Sequence, residues 1–357
     1  MGGGHVLDTR RSEMMKPTAP PIAPSKRSPV VLADSELSVR ACRNLLRVFM
    51  GLLLLPFVFE VAAWCGLTTG NLWVSALRSV TQRVLLHTLT EGNRDVRCGR
   101  DGWLFAQSEI DRMVRAERAD HGLHGSLLKL AANLKKQEVG LWLVLIPSRV
   151  TLYPEQLRPG TDAEPVRRKE EKSQLAALTA AGAEVMDMTD ALWVFRERQP
   201  VCYAQDSHWT PEAMKAVALA VNKQVRKKFP RLVSTETPII QATILEHADA
   251  GDLARRLDPA RPGSLLGTEP ADLISIRGFD PDAKSSVVVC GGELLRVFDD
   301  PALSFGGGAG SPHAGFATQL TTLMGHSLDV RGMPQQGDSY EGKKLVICLL
   351  PMAELVP

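Results

Sequence analysis

Ser126-Leu-Leu-Lys-Leu-Ala-Ala-Asn-Leu-Lys-Lys-Gln-Glu-Val-Gly-Leu-Trp-Leu-Val-Leu-Ile146 decides the fold. From Ser126 to Glu138 the apolar residues Leu127, Leu130, Ala131 and Leu134 recur at helical spacing. Lys135 and Lys136 fall in the last turn and Gly140 stops the run. Leu141–Ile146 is then uninterrupted and apolar, which is the pattern of a strand buried on both faces. The same pairing returns downstream: a helix over 170–181 closed by Gly182, then a strand over 184–188. Thr210-Pro211 combines an N-cap residue with Pro at the first helical position, and Met214, Val217, Ala218, Val221 and Val225 supply the stripe that follows. Ser286–Cys290 and Lys344–Leu350 read as two further buried strands. Strands alternating with helices predict a three-layer α/β/α domain with a parallel sheet.

The N-terminal region differs in composition. Residues 1–44, with Pro17, Pro20, Pro21, Pro24 and Pro29 among small and charged residues, bury too little apolar surface to offset ordering entropy and read as a disordered arm. Residues 45–67 are apolar apart from Arg47, Gly51, Pro56, Glu60 and Gly66, long enough to cross a hydrocarbon core. Lys26, Arg27, Arg40, Arg43 and Arg47 lie before or at the start of this run. The positive-inside rule therefore keeps the arm cytoplasmic and sends the rest across, with the span acting as a transmembrane signal-anchor. The competing reading is a core helix, since Pro56 and Glu60 weaken a span. Residues 68–97 connect this segment to the domain at 98–357.

Lys and Arg total 42 against 40 Asp and Glu, a balance without the positive field that nucleic-acid binding needs. The six cysteines, Cys42, Cys65, Cys98, Cys202, Cys290 and Cys348, form no CxxC pair, so no zinc ribbon or dense disulfide framework is expected. Cys290 and Cys348 end apolar runs and read as buried small hydrophobes. His121 and His124 sit three apart before a helix, which is better explained as a solvated helix start than as a metal site. No metal and no cofactor are expected.

Tyr203-Ala-Gln-Asp-Ser-His-Trp-Thr-Pro211 carries the chemistry. Asp206 and His208, two apart in an extended stretch, can lean to one face. A carboxylate on one imidazole nitrogen fixes the tautomer and leaves the other nitrogen free to take a proton. Alone the pair is weak evidence. Its setting is stronger: Gly99-Arg-Asp-Gly-Trp-Leu-Phe105, Ile146-Pro-Ser-Arg149 with Tyr153-Pro154, Asp206-Ser-His-Trp209 and Gly342-Lys-Lys-Leu-Val-Ile347 stand in one order. That order resembles the AlgX/AlgJ-like family of SGNH-hydrolase-fold acetyltransferases over roughly 98–357.

The resemblance implies acetyl transfer through a serine to a sugar hydroxyl of an exported polysaccharide. Asp206 would orient His208, and His208 would be the general base toward the serine. It also implies a location at the inner membrane, with the domain in the periplasm or cell exterior, and a membrane-bound O-acyltransferase partner. The serine would follow a late strand, where this chain reads Val288-Val-Cys-Gly-Gly-Glu-Leu294. Glu293 therefore stands at the nucleophile position. Ser304 and Ser311, in the glycine-rich stretch just downstream, are the substitutes to consider. Arg149, at the end of a strand, and Trp209 are the candidate substrate-binding residues. Two functions are in play: an O-acetyltransferase, or a catalytically inactive relative that binds polysaccharide or scaffolds the export machinery.

Overall fold

The computed structural model describes residues 92–355, except 115–121, 162–163, 236–239, 259–262, 264–265, 279, 301, 304–312 and 336, together with isolated positions between 43 and 80. Among the described residues no helix is long and apolar enough to cross a membrane. The arm 1–44 and the expected span 45–67 fall mostly outside the described residues, as do His121, Ser304 and Ser311.

Among the described residues there are nine strands: β1 (Val96–Cys98), β2 (Leu104–Ala106), β3 (Gly140–Ile146), β4 (Ala183–Asp187), β5 (Gln241–Asp249), β6 (Glu269–Arg277), β7 (Val287–Gly291), β8 (Asp329–Arg331) and β9 (Leu345–Pro351). Five form the central sheet in the order β4-β3-β9-β7-β8, and every pair in it is parallel. The strands and helices expected from the sequence appear within a few residues of their expected ends, with helices at Leu123–Lys136, Glu171–Ala181 and Pro211–Lys228.

The apolar runs are continuous because both faces of the sheet are covered. Successive residues point to opposite sides, and the core divides accordingly. Trp142, Val144 and Ile146 of β3, Val287 and Val289 of β7, and Leu345, Ile347 and Leu349 of β9 pack in one layer. That layer also holds Met214, Val217, Val221 and Val225 of helix Pro211–Lys228 and Phe316 and Leu320 of helix Phe316–Met324. The alternate residues Leu141, Leu143, Leu145, Val288, Cys290, Val346 and Cys348 pack in the other. There they meet Leu127, Ala131 and Leu134 of helix Leu123–Lys136 and Leu178 of helix Glu171–Ala181. The expected α/β/α layering follows.

Two antiparallel elements lie outside this scheme. β1 and β2 form a hairpin whose turn, Arg100-Asp101-Gly102-Trp103, has positive φ at both central residues (50° at Asp101, 81° at Gly102) and closes with Trp103 N–H donating to the Arg100 carbonyl at 2.9 Å. Both central residues left-handed is the type I′ geometry that suits Asp-Gly. β5 and β6 form a nine-residue antiparallel ribbon, and β5 is largely exposed.

Replacing Gly102 by Ala puts a side chain at positive φ and is expected to cost about 1 kcal/mol in urea unfolding. Gly332→Ala, at a glycine with open space and no positive φ, should cost nothing comparable. Equal losses at the two positions would contradict the assignment of the turn.

Candidate active site

The loop 203–208 is closed at its base by an isolated antiparallel bridge between Cys202 and Trp209, after which Thr210 caps helix Pro211–Lys228 by accepting from Ala213 N–H. A loop this deep must satisfy its backbone polar groups internally. Arg149, 1% exposed at the end of β3, donates from Nη1 to the Asp206 carbonyl and from Nη2 to the Ala204 carbonyl, both at 2.8 Å. Glu269, at the start of β6, accepts from the N–H groups of Ala204 and Gln205 at 2.7 Å each. The Gln205 carbonyl accepts from Leu253 and Ala254 N–H, at the start of helix Asp252–Leu257. Gly251, at φ 84°, allows that helix to approach, since a Cβ there would run into the Gln205 carbonyl.

Within this frame Asp206 is fully buried and His208 is 5% exposed. His208 Nδ1–H donates to Asp206 Oδ1 at 2.6 Å, and the same oxygen accepts from the His208 backbone N–H at 2.9 Å. Asp206 Oδ2 accepts from Asp252 N–H at 2.8 Å. The Asp252 carboxylate in turn accepts from Ser207 N–H and Oγ–H and pairs with Arg256 at 2.7 Å. Ligand-type atoms of Asp206, His208 and Asp252 lie within 4.8 Å of one another, so this is the group among the described residues that could hold a metal. Each of the three already has protein partners.

The second imidazole nitrogen faces Glu293. Strand β7 ends at Gly291, Gly292 turns the chain, and Glu293 opens helix Glu293–Arg296 with Oε2 3.8 Å from His208 Nε2. At that distance the contact is an ion pair without a direct hydrogen bond. Burial disfavours the imidazolium, but the Asp206 hydrogen bond and the carboxylates of Glu293 and Asp252 outweigh it and push the His208 pKa up to about 10. Glu293, beside the imidazolium, is held below its usual range. The balance of these effects favours the charged imidazolium, in which both nitrogens are donors.

The site opens into a cavity of about 220 Å³ at the carboxyl ends of β3, β7 and β9, where open α/β sheets bind ligands. Glu109, Arg112, Arg256 and Glu354 join His208 and Glu293 around it. Burial raises the pKa of Glu109 and of Glu354, while the Arg112 charge lowers each. Glu109 Oε2, Arg149 Nε and Trp209 Nε1, all on lining residues, are buried and have no hydrogen-bond partner among the described residues.

The two residues expected to bind substrate, Arg149 and Trp209, both line the cavity, and both are also built into the fold. Arg149 spends its terminal nitrogens on loop carbonyls and lies over Trp103 and Phe105, 5.1 and 5.3 Å from their ring centroids. Trp209 is 1% exposed and stacks on Phe316 with centroids 5.9 Å apart, so its face is not open to a sugar ring. The sequence reading missed Asp252, Glu269 and Glu109, carboxylates that stand in none of the motif blocks.

Arg149→Leu leaves two buried carbonyls without donors and should cost about 2–5 kcal/mol in urea unfolding. Arg149→Lys should not restore the loss, because an ammonium cannot present the same planar fork. A loss under about 1 kcal/mol for Arg149→Leu would show that the loop holds itself. The raised His208 pKa adds stability that is fully present below the unfolded value near 6.5 and is lost as pH rises through about 10. The stability advantage of the parent over His208→Gln should therefore shrink across that window, and an advantage that grows with pH would contradict the charge assignment.

A family model described as an SGNH hydrolase-like domain, acetyltransferase AlgX, matches residues 96–340, stopping just short of the block at Gly342–Ile347. The chain is 27% identical over 220 residues to the "Probable alginate O-acetylase AlgJ" of Pseudomonas syringae pv. tomato, covering 61% of this chain and 54% of that one. It is 28% identical over 160 residues to the protein of the same description from Pseudomonas aeruginosa, covering 44% and 38%. The chain thus spans about half the length, or less, of these relatives. In fold it is similar to the O-acetyltransferase domain of Pseudomonas putida AlgJ (TM-score 0.53, 18% identity, 73% of this chain and 91% of that one). It is also similar to Pseudomonas aeruginosa AlgX (TM-score 0.50, 18% identity, 72% and 62%). With more than half of its length matched by the family model, the chain belongs to the AlgX family of SGNH hydrolase-like domains.

Proposed function

We propose that this protein serves polysaccharide O-acetylation as a non-catalytic member of its family, with Glu293 in the position where the resemblance puts the serine nucleophile. The observation that carries the reading is the Glu293 carboxylate 3.8 Å from His208 Nε2, the nitrogen that would have to accept a serine proton. An imidazolium with a pKa near 10 has no free lone pair for that proton at neutral pH. A carboxylate acylated in place of serine would be a mixed anhydride, too labile in water to hold an acetyl group. Family membership and the cavity support binding of a polysaccharide, whose hydroxyls would meet charged groups around the cleft.

The wider setting belongs to the same proposal. Residues 45–67 anchor the chain in the inner membrane by a single pass, the domain lies in the periplasm or cell exterior, and a membrane-bound O-acyltransferase supplies the acetyl group. The competing reading is a working O-acetyltransferase, favoured by the intact Asp206–His208 pair at 2.6 Å, with a nucleophile from Ser304 or Ser311.

Acetyl release from a chromogenic acetyl ester by the purified protein separates the two. The parent should be silent and Glu293→Ser should gain activity that His208→Ala removes. Activity in the parent that His208→Ala abolishes would overturn the non-catalytic reading.

A further inference from the structure

Cys290 and Cys348 face each other in the middle of the sheet. They occupy paired positions on the adjacent parallel strands β7 and β9, and both point into the layer formed with helix Leu123–Lys136. Their Sγ atoms lie 2.8 Å apart and both side chains are essentially inaccessible, at 1% and 0% exposure. Neighbouring strands run about 4.7–4.9 Å apart, which is inside the Cα separation that a disulfide accepts. Elsewhere among the described residues, Cys98 belongs to hairpin β1–β2 and Cys202 to the loop base, so neither competes for this contact.

We infer that Cys290 and Cys348 are a cross-strand disulfide site, closed by oxidation while the chain folds. In the folded protein the shared hydrogen bond and burial keep Cys348 protonated, and no oxidant reaches it. The bond therefore forms before the layer closes. One thiolate attacks a disulfide supplied by the surroundings, a small-molecule or protein disulfide, and releases one thiol. The second thiolate then attacks the mixed disulfide and releases the other. Two cysteine thiols lose two protons and two electrons, and the donor disulfide becomes two thiols.

The bridge spans 58 positions of sequence and removes freedom from the unfolded chain. It also fastens the end of β7 to the sheet's centre, two residues before the Gly292 turn that delivers Glu293 to His208.

The test is to refold the full chain with oxidised glutathione, and separately with reduced glutathione, then to alkylate free thiols under denaturing conditions and map the peptides. The expected result is a Cys290–Cys348 cross-linked peptide in the oxidised preparation, lighter by two hydrogens than the reduced pair, and absent from the reduced one. Cys348→Ala should leave Cys290 alkylated, and Cys98→Ala should leave the bridge intact. Full alkylation of both cysteines in the oxidised preparation, or a bridge from Cys290 to any other cysteine, would overturn the inference. The parent peptide map decides the question even if Cys348→Ala fails to fold.

Discussion

A single buried guanidinium holds the site together. Arg149 sits where β3 ends, donates to the carbonyls of Ala204 and Asp206, and lies over the rings of Trp103 and Phe105. Tyr153, four residues on, meets Trp103 in a tilted ring contact with centroids 4.2 Å apart and accepts from Val201 N–H at 2.8 Å, just before the loop. Three sequence blocks far apart in the chain thus meet around one cation. Burying an arginine is costly unless its donors are used. Using them on carbonyls fixes the loop, and the loop fixes the Asp206–His208 pair.

The parallel sheet was legible in the sequence because a strand buried on both faces is uniformly apolar and its flanking helices carry caps and stripes. Leu141–Ile146 and Thr210-Pro211 are the clearest cases. The two antiparallel ribbons were not read. The β1–β2 hairpin has three-residue strands, too short for a period, although Asp101-Gly102 was a sufficient turn signal. β5 has an exposed, mixed pattern, Gln241-Ala-Thr-Ile-Leu-Glu-His-Ala-Asp249, that marks neither face as core. Asp206 and His208 were legible as a pair and Arg149 and Trp209 as candidates at the cleft, but the burial of the latter two was not legible. A polar or amphipathic side chain next to a motif carries no mark of burial, and only the packing of Phe316 and the loop carbonyls shows it.

The charge logic of the site runs through His208. Asp206 on one nitrogen favours the imidazolium, as in any Asp–His pair, and normally leaves the other nitrogen for a neutral hydroxyl. Here a carboxylate faces that second nitrogen. The two acids bracket one imidazole, and both favour its charged form. The turn at Gly291-Gly292 and the register of β7 against β9 set the position of Glu293, so the sheet's central pairing and the site's electrostatics are linked.

The most direct measurement is an NMR titration of the His208 imidazole in the parent and in Glu293→Gln. The account calls for a parent imidazole that remains protonated well above pH 7, with a pKa near 10, and a lower value once the second carboxylate is neutralised. A His208 that titrates near its ordinary value of about 6.5 and does not respond to Glu293→Gln would contradict it.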